Sequence, residues 1–261
     1  MTDLAYHRVG RGEPLVLVHG LGMSNLVWQP VVEKLAERFD VIVVDLPGHG
    51  DSAALPADIE PIPAALAAAL AAFVEQLDVG PVHLVGHSIG GWVALEFAKI
   101  SPVRSVTLLS PAGLWRRGSP LYTRTSIWVS WWLTRLLTRP VLRMVATTPG
   151  RAAVLGQTHA RAGAMSVDHA RGTILAYARC PAFKATMRAS QDRRFLDGKR
   201  ITAPVTVAIG ASDRFLLPGS YNLDQLPATR RELSLKGCGH VPMSDDPNAV
   251  VDAIVRGTQP S

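Results

Sequence analysis

The stretch Pro81-Val82-His83-Leu84-Val85-Gly86-His87-Ser88-Ile89-Gly90-Gly91 decides the fold of this chain. Its first half is an apolar run typical of a buried strand, and the residues from Gly91 to Lys99 have a helical pattern. Ser88 therefore lies at a sharp strand-to-helix turn. Glycines on both sides let the backbone pass through such a bend, which leaves the serine hydroxyl exposed at the strand end. This context predicts a nucleophile at Ser88, whereas the pattern Gly-x-Ser-x-Gly alone also occurs by chance.

Seven short apolar runs in the chain share the strand pattern and alternate with helix-like segments. Besides Val82–Val85 they are Leu4–Arg8, Leu15–Val18, Val41–Val44, Ser105–Leu109, Val205–Ile209 and Arg231–Leu235. Alternation of this kind predicts an α/β fold, with a mainly parallel sheet and helices on both faces.

The alternation stops between Gly113 and Lys199, where helix formers dominate. We predict a helical cap inserted at residues 113–199, and a core formed by residues 1–112 and 200–261. The first part of this cap, residues 127–137, is strongly apolar, and at helical pitch Trp128 and Trp132 share one side. We expect these two tryptophans to line a pocket between cap and core.

The charge of the chain is uneven. The net charge is +6, but residues 113–200 carry 16 Lys and Arg against three acids, so that this segment has +13 and the rest −7. Such a segment is typical of a surface for nucleic acid, an anionic membrane or an acidic substrate, or of a solvated face. No nucleic-acid motif accompanies the arginines, so we expect no nucleic-acid partner. Tryptophan next to arginine leaves peripheral contact with a lipid surface open.

Several other classes of site and location are not indicated. Cys180 and Cys238 have no ligand or redox spacing, so we expect two free thiols. The sequence has no Gly-rich phosphate loop, and its Asp and His residues have other roles, so we expect neither a metal nor an organic cofactor. The first ten residues lack a signal-peptide pattern and no apolar run reaches spanning length, so the cytoplasm is the expected location.

A serine hydroxyl is a weak nucleophile, so Ser88 needs a base, and the base needs an acceptor that fixes its tautomer. His240 is the candidate base, since it lies in the turn Gly237-Cys238-Gly239-His240-Val241-Pro242 after the strand Arg231–Leu235. Asp213 is the candidate acid, since it directly follows the strand Val205–Ile209. The carboxyl ends of parallel strands meet at one sheet edge, so Ser88, Asp213 and His240 are predicted to form a catalytic triad.

Hydrolysis through a serine also requires two backbone donors for the developing oxyanion. Ile89 N–H opens the helix after Ser88, where the helix dipole supports negative charge. Leu21 N–H, in the loop His19-Gly20-Leu21-Gly22 after the strand Leu15–Val18, is the predicted second donor. The side chains of Leu21 and Val241 join Trp128 and Trp132 as candidates for contact with substrate.

These motifs together resemble the α/β-hydrolase superfamily, in the branch that has a His-Gly-x-Gly loop and a Gly-x-Ser-x-Gly-Gly elbow. The matching pieces cover both ends of the chain in the order of the family: His19–Gly22, Asp45–Ser52, Gly86–Gly91, Gly210–Asp213 and Gly239–His240. The resemblance implies a framework role for His49 and Asp51, and a cap that sets substrate choice. Because dehalogenases and epoxide hydrolases of this family have aspartate at the position of Ser88, both chemistries are disfavoured.

The resemblance also sets an expectation for the sheet. The full pattern of the family has eight strands, whereas seven are counted here. Since the first apolar run begins at Leu4, we expect the first, antiparallel edge strand of the family to be absent or shortened.

These features predict a carboxylesterase or lipase-like serine hydrolase that acts through an acyl-enzyme. The apolar cap favours a small-molecule ester with a lipophilic acyl or alcohol group. Two alternatives remain open. One is hydrolysis of a carbon–carbon bond in a meta-cleavage-type diketone, which would need an arginine near Ser88. The other is a ligand-binding or signalling protein with this fold, marked by a large exposed apolar cap surface and very slow turnover.

Overall fold

A computed structural model describes residues 4–259, and its centre is one seven-stranded sheet. The strands lie in the order β1-β3-β2-β4-β5-β6-β7. All neighbours pair in parallel except β1, which is antiparallel to β3. The mainly parallel α/β sheet and its seven strands are confirmed. Their bounds are β1 (Tyr6–Gly10), β2 (Glu13–Val18), β3 (Phe39–Val44), β4 (Val82–His87), β5 (Val103–Leu109), β6 (Val205–Gly210) and β7 (Arg231–Leu235).

The edge strand β1 has five residues, and the sheet has seven strands within residues 4–259 instead of the eight of the family pattern, which agrees with the expectation of an absent or shortened first strand. An antiparallel edge strand is present, and it pairs with β3 from Tyr6 opposite Val44 to Gly10 opposite Asp40. It begins two residues later than the apolar run at Leu4 indicated. The reason is that β1 is mostly exposed, so its polar side chains do not produce the hydrophobic pattern of the buried strands.

Helices cover both faces of the sheet. Alternate residues of β2 separate into two hydrophobic clusters, with Val16 and Val18 in one and Leu15 and Leu17 in the other. The first cluster contains side chains of two helices, α2 (Pro63–Gln76) and α3 (Ile89–Ile100). The second contains side chains of α1 (Gln29–Ala36) and α10 (Pro247–Thr258). The core therefore lies in two layers, one on each side of β2 and its neighbours. A one-turn helix, α9 (Pro242–Asp245), precedes α10.

The predicted cap region, residues 113–199, is helical. Its helices are α4 (Leu121–Leu136), α5 (Thr138–Met144), α6 (Thr148–Leu155), α7 (Val167–Arg179) and α8 (Phe183–Gln191), all between β5 and β6. Part of it forms its own cluster around Val145, Leu155 and Ile174, whereas Trp131 and Phe183 pack into the main core. The boundaries at residues 113 and 199 stay predictions. No helix in the described part of the chain has both the length and the apolarity to cross a bilayer.

Candidate active site

Ser88 lies between the end of β4 and the start of α3, with φ +54° and ψ −119°. A non-glycine residue rarely adopts this conformation, so the surroundings must hold it. A Cβ atom at Gly86 would lie 2.3 Å from the carbonyl oxygen of Gly90, and one at Gly90 would lie 2.4 Å from that of His19. Only glycine fits at both positions, because the strand, the turn and the helix approach each other to backbone contact.

Three side chains from different strand ends meet at this turn. His240 Nε2 lies 3.1 Å from Ser88 Oγ, and His240 Nδ1 lies 2.9 Å from Asp213 Oδ2. All three residues are buried. A neutral imidazole that donates Nδ1–H to the carboxylate presents its Nε2 lone pair to the Ser88 hydroxyl. The geometry therefore permits proton transfer from Ser88 to His240.

The Asp213 carboxylate is held in one orientation by the backbone that follows it. Its Oδ1 accepts hydrogen bonds from the N–H groups of Phe215 and Leu216, both at 2.8 Å. The other oxygen, Oδ2, is left to face His240. The ring of Phe215 also packs against the His240 imidazole, with centroids 4.8 Å apart. Acid and base thus have fixed relative positions.

The loop that carries His240 is attached to the cap through Asp245, a residue that the sequence analysis missed. Its buried carboxylate accepts from Gly239 N–H at 2.7 Å, Ala160 N–H at 2.9 Å and Arg161 N–H at 2.7 Å. No local signal separates Asp245 from the neighbouring Asp246, which caps α10 by accepting from Ala249 N–H.

A second contact fixes the same loop from the core side. His87 Nε2 lies 2.9 Å from the His240 carbonyl oxygen, so the imidazole of His87 donates to it. Burial holds the pKa of His87 well below its usual value, which keeps this imidazole neutral. The residue before the nucleophile thereby helps to position the candidate base.

The two predicted oxyanion donors lie beside Ser88. Ile89 is the first residue of α3, so its N–H has no partner within the helix. Leu21 N–H has no hydrogen-bond partner among residues 4–259. Leu21 also lines the same cavity as Ser88. Both amides stay candidates for this role.

Two cavities adjoin Ser88. The larger, of about 120 Å³, is also lined by His240 and by cap residues. The smaller, of about 40 Å³, shares Leu21, Ser88, Ile127 and Phe215 with it. Among the described residues, neither cavity is lined by Asp, Glu, Lys or Arg. Most of the lining surface is apolar, and its polar side chains are hydroxyls, amides and imidazoles.

Three of the four candidates for substrate contact do not line either cavity, which corrects that expectation. Trp128 packs edge-on against Phe183, with ring centroids 5.9 Å apart. Trp132 is exposed. Val241 is buried in the hydrophobic cluster that contains side chains of α1 and α10. Only Leu21 lines both cavities.

The rotation of α4 explains the error for Trp132. Its residues Ile127, Ser130 and Thr134 line the larger cavity, and they share one side of the helix. Trp132 lies on the other side. The apolar pattern therefore indicated the correct helix but not the residues of its inner face, nor Tyr177, which also lies at the cavity. Helical spacing groups such residues, but it does not show which group faces inward.

Several buried groups near the site are neutral. Burial lowers the pKa of His159, which lines the larger cavity, to about 4. Tyr177 donates to the Ile127 carbonyl oxygen at 3.0 Å, and burial raises its pKa. Cys180 and Cys238 are both free, as expected, and burial raises the pKa of each thiol to about 11.

The expected framework residues lie outside the cavities. His49 is buried beside His19, and burial lowers the pKa values of these imidazoles to about 3 and about 4. Asp51 donates its N–H to the carboxylate of Asp45 at 3.1 Å. No group of three or more His, Cys, Asp or Glu residues within the described chain is arranged to hold a metal ion.

The sequence model of the alpha/beta hydrolase family matches residues 15–253. The chain belongs to this family. An uncharacterized protein of Mycobacterium tuberculosis is 30% identical over 270 residues, which cover 97% of this chain and 77% of that protein. The epoxide hydrolase EphH of the same organism is 32% identical over 186 residues, covering 66% of this chain and 83% of EphH.

The fold is also similar to that of solved structures. A crystal structure of a putative lipase from Acinetobacter baumannii has a TM-score of 0.78 and covers 98% of this chain and 90% of the lipase. At 22% identity, this similarity shows a shared α/β-hydrolase fold. As a member of the alpha/beta hydrolase family, the protein is a hydrolase.

Proposed function

We propose that this α/β hydrolase is a serine hydrolase that cleaves carboxylic esters with a neutral, apolar acyl or alcohol group. The proposal depends above all on the contact between Ser88 Oγ and His240 Nε2, at 3.1 Å, on the wall of an uncharged cavity. Asp213, at 2.9 Å from His240 Nδ1, supports the role of this histidine as a base.

The proposed reaction has two halves. Ser88 Oγ attacks the ester carbonyl carbon while His240 Nε2 accepts the serine proton, and Asp213 stabilises the imidazolium. The N–H groups of Leu21 and Ile89 bind the oxyanion of the tetrahedral intermediate. Its collapse releases the alcohol, which takes the proton from His240, and leaves an acyl-enzyme on Ser88. Water, activated by His240, then releases the acid.

The lining of the cavities supports a neutral substrate. A carboxylate or ammonium group there would lose its hydration without gaining an opposite charge, which costs several kcal/mol. An apolar chain loses no such interaction. Both cavities reach Ser88, so we assign one to the acyl chain and the other to the alcohol.

The lining also bears on the alternatives. Hydrolysis of a carbon–carbon bond in a diketone acid would need an arginine near Ser88, and none of the described lining residues is arginine. Ester hydrolysis needs no such group. Ser88 lies at the position where epoxide hydrolases of the family have aspartate. We therefore do not propose the activity in the name of EphH for this chain. A ligand-binding protein with this fold would hydrolyse esters very slowly or not at all, so the rate of turnover distinguishes it from an esterase.

The test is labelling and turnover. A fluorophosphonate should modify Ser88, and p-nitrophenyl esters from acetate to decanoate should give a burst of p-nitrophenol followed by steady turnover. Both signals should vanish in Ser88→Ala. Ser212→Ala, which removes an exposed hydroxyl one residue before Asp213, is the matched control and should keep both.

The charge preference is tested with a pair of esters of equal chain length, one of which ends in a carboxylate. We expect at least about a tenfold higher kcat/KM for the neutral ester, because the cavity offers no counter-charge. Preference for the carboxylate would contradict the assigned substrate class. Labelling of Ser88 without turnover of any ester would favour the ligand-binding alternative.

A further inference from the structure

One side of α4 exposes a row of large apolar side chains. Val129 is 56% exposed, Trp132 53%, Leu133 50% and Leu136 78%. Their spacing of three and four residues places them on one side of the helix. We call these four residues the α4 outer face. An apolar row this exposed marks a contact surface rather than the scattered apolar residues of an ordinary surface.

The α4 outer face is not an uncovered part of the substrate cavity. The cavity is lined by Ile127, Ser130 and Thr134, on the other side of the same helix. Helix α4 thus has two distinct sides, one lining the cavity at the candidate active site and an apolar one facing away from it. The four side chains of the second side are each half or more exposed within residues 4–259.

Four exposed cations accompany this row. Arg135 lies within it on α4, and Arg139 and Arg143 follow it along the chain on α5. Lys184 of α8 is also exposed, and its Nζ lies 4.7 Å from the ring of Trp132. The cations are not balanced along the chain, because residues 121–167 contain six arginines and no Asp or Glu.

Among the described residues, no acid forms an ion pair with any of these four cations. Asp192, which follows α8, pairs with Arg124 at 2.7 Å, near the other end of α4. Asp168, in the first turn of α7, is the next acid along the chain after residue 167. Exposed apolar side chains accompanied by unpaired cations match a surface that has hydrocarbon inside and phosphate anions at its edge, which is the profile of an anionic bilayer.

A second copy of the chain fits this face less well. In a symmetric dimer the same patch lies on both sides of the contact, so Arg135, Arg139 and Lys184 would meet their own copies. Like charges in such a contact oppose association.

We propose that the α4 outer face docks this protein on an anionic lipid surface. Trp132, Leu133 and Leu136 would enter the boundary between headgroups and acyl chains, while Arg139 and Arg143 contact lipid phosphates. Docking itself requires no catalysis. If the proposed esterase function holds, docking also brings the helix that walls the cavity against the source of lipophilic esters.

The test is co-sedimentation of the full chain with vesicles. We use phosphatidylcholine vesicles and vesicles of equal parts phosphatidylglycerol and phosphatidylcholine, at low and at high salt. The Ser88→Ala protein is tested in parallel, so that hydrolysis cannot change the lipids. We expect binding to the anionic vesicles that weakens at about 0.5 M salt, where charges are screened within a few ångströms, together with a blue shift of tryptophan fluorescence.

Two double variants separate the apolar and the charged contributions. Leu133→Ser with Leu136→Ser should lower partitioning by about tenfold or more, since two large apolar side chains leave the boundary region. Arg139→Ser with Arg143→Ser should lower it about twenty-five-fold, at roughly fivefold per arginine, on anionic vesicles only. Thermal unfolding shows whether each variant is folded.

Matched controls lie on the core. Ile100→Ser removes an apolar side chain that is 58% exposed at the end of α3, and Arg38→Ser removes an exposed cation. Both should bind as the unaltered chain does. Failure to bind anionic vesicles, or equal binding by the Leu133→Ser and Leu136→Ser double variant, would overturn the proposal. So would a concentration-dependent dimer that this double variant disperses and that does not bind vesicles. Because binding is read without turnover, these results are independent of the esterase assays.

Discussion

Asp213→Asn is expected to abolish most turnover while it preserves the fold. In the protein, Asp213 Oδ1 accepts two backbone N–H groups, so the side-chain oxygen of asparagine must take that position. Its NH₂ group then faces His240 Nδ1, where Oδ2 lies 2.9 Å away in the native side chain. Only an acceptor satisfies an NH₂ group, so the imidazole must move its proton to Nε2. In that tautomer His240 cannot accept the proton of Ser88.

The magnitude follows from the loss of both the correct tautomer and the carboxylate charge. The same change in a Ser-His-Asp triad elsewhere lowers kcat about 10⁴-fold, which corresponds to about 5.4 kcal/mol of transition-state stabilisation. We expect a loss of this order here. The free energy of unfolding should change little by comparison, because asparagine keeps both backbone hydrogen bonds of the aspartate.

The assay is steady-state hydrolysis of a p-nitrophenyl ester, with urea unfolding as the check on stability. Asp224→Asn, the same change at an exposed aspartate, is the matched control and should leave kcat unchanged. A loss of less than about tenfold in folded Asp213→Asn would refute the argument from tautomers.

Three further predictions concern the surroundings of the site. Asp245→Asn should lower the free energy of unfolding by about 2 kcal/mol, because one of its three N–H partners then faces an NH₂ group. Asp246→Asn should keep its helix cap, and urea unfolding compares the two variants. Gly86→Ala should cost about a hundredfold in kcat/KM or prevent folding, while Gly219→Ala, with nothing near its Cβ, should not. As the pH falls from 6.5 towards 4, protonation of His159 in the unfolded chain should cost about 1.4 kcal/mol of stability per pH unit, and His159→Gln should flatten the measured slope by that amount.

The strands and the elbow were predictable because their signals are local. A buried strand repeats apolar residues over a few positions, and Gly86 and Gly90 are required by contacts of the backbone with itself within one turn and its neighbour. Edge strand β1 was placed less well, because exposure on the edge removes that signal.

The candidate triad was predictable for a different reason. Ser88, Asp213 and His240 follow β4, β6 and β7, and in a parallel sheet the carboxyl ends of strands lie at one edge. The fold therefore brings together residues that are far apart in the chain: His240 contacts Ser88 across 152 positions and Asp213 across 27.

The cap was predictable in content but not in orientation. Its apolar pattern indicates helices, and α4 contains the two tryptophans that the sequence analysis selected. Helical pitch fixes which residues share a side, but the rotation of the whole helix is set by contacts with distant residues such as Tyr177 and Phe183. For this reason Ser130 faces the cavity and Trp132 does not.

By itself, the sequence determined the α/β-hydrolase fold, the strained turn at Ser88 and the strand ends that hold its partners, because each depends on backbone geometry that neighbouring residues impose. Only the tertiary structure decided which side of α4 faces the cavity, that Asp245 rather than Asp246 joins the His240 loop to the cap, and that Lys184 of α8 lies over the exposed Trp132 of α4. The hydrogen bond from Ala160 N–H to Asp245 spans 85 positions, and no local pattern encodes a contact at that separation.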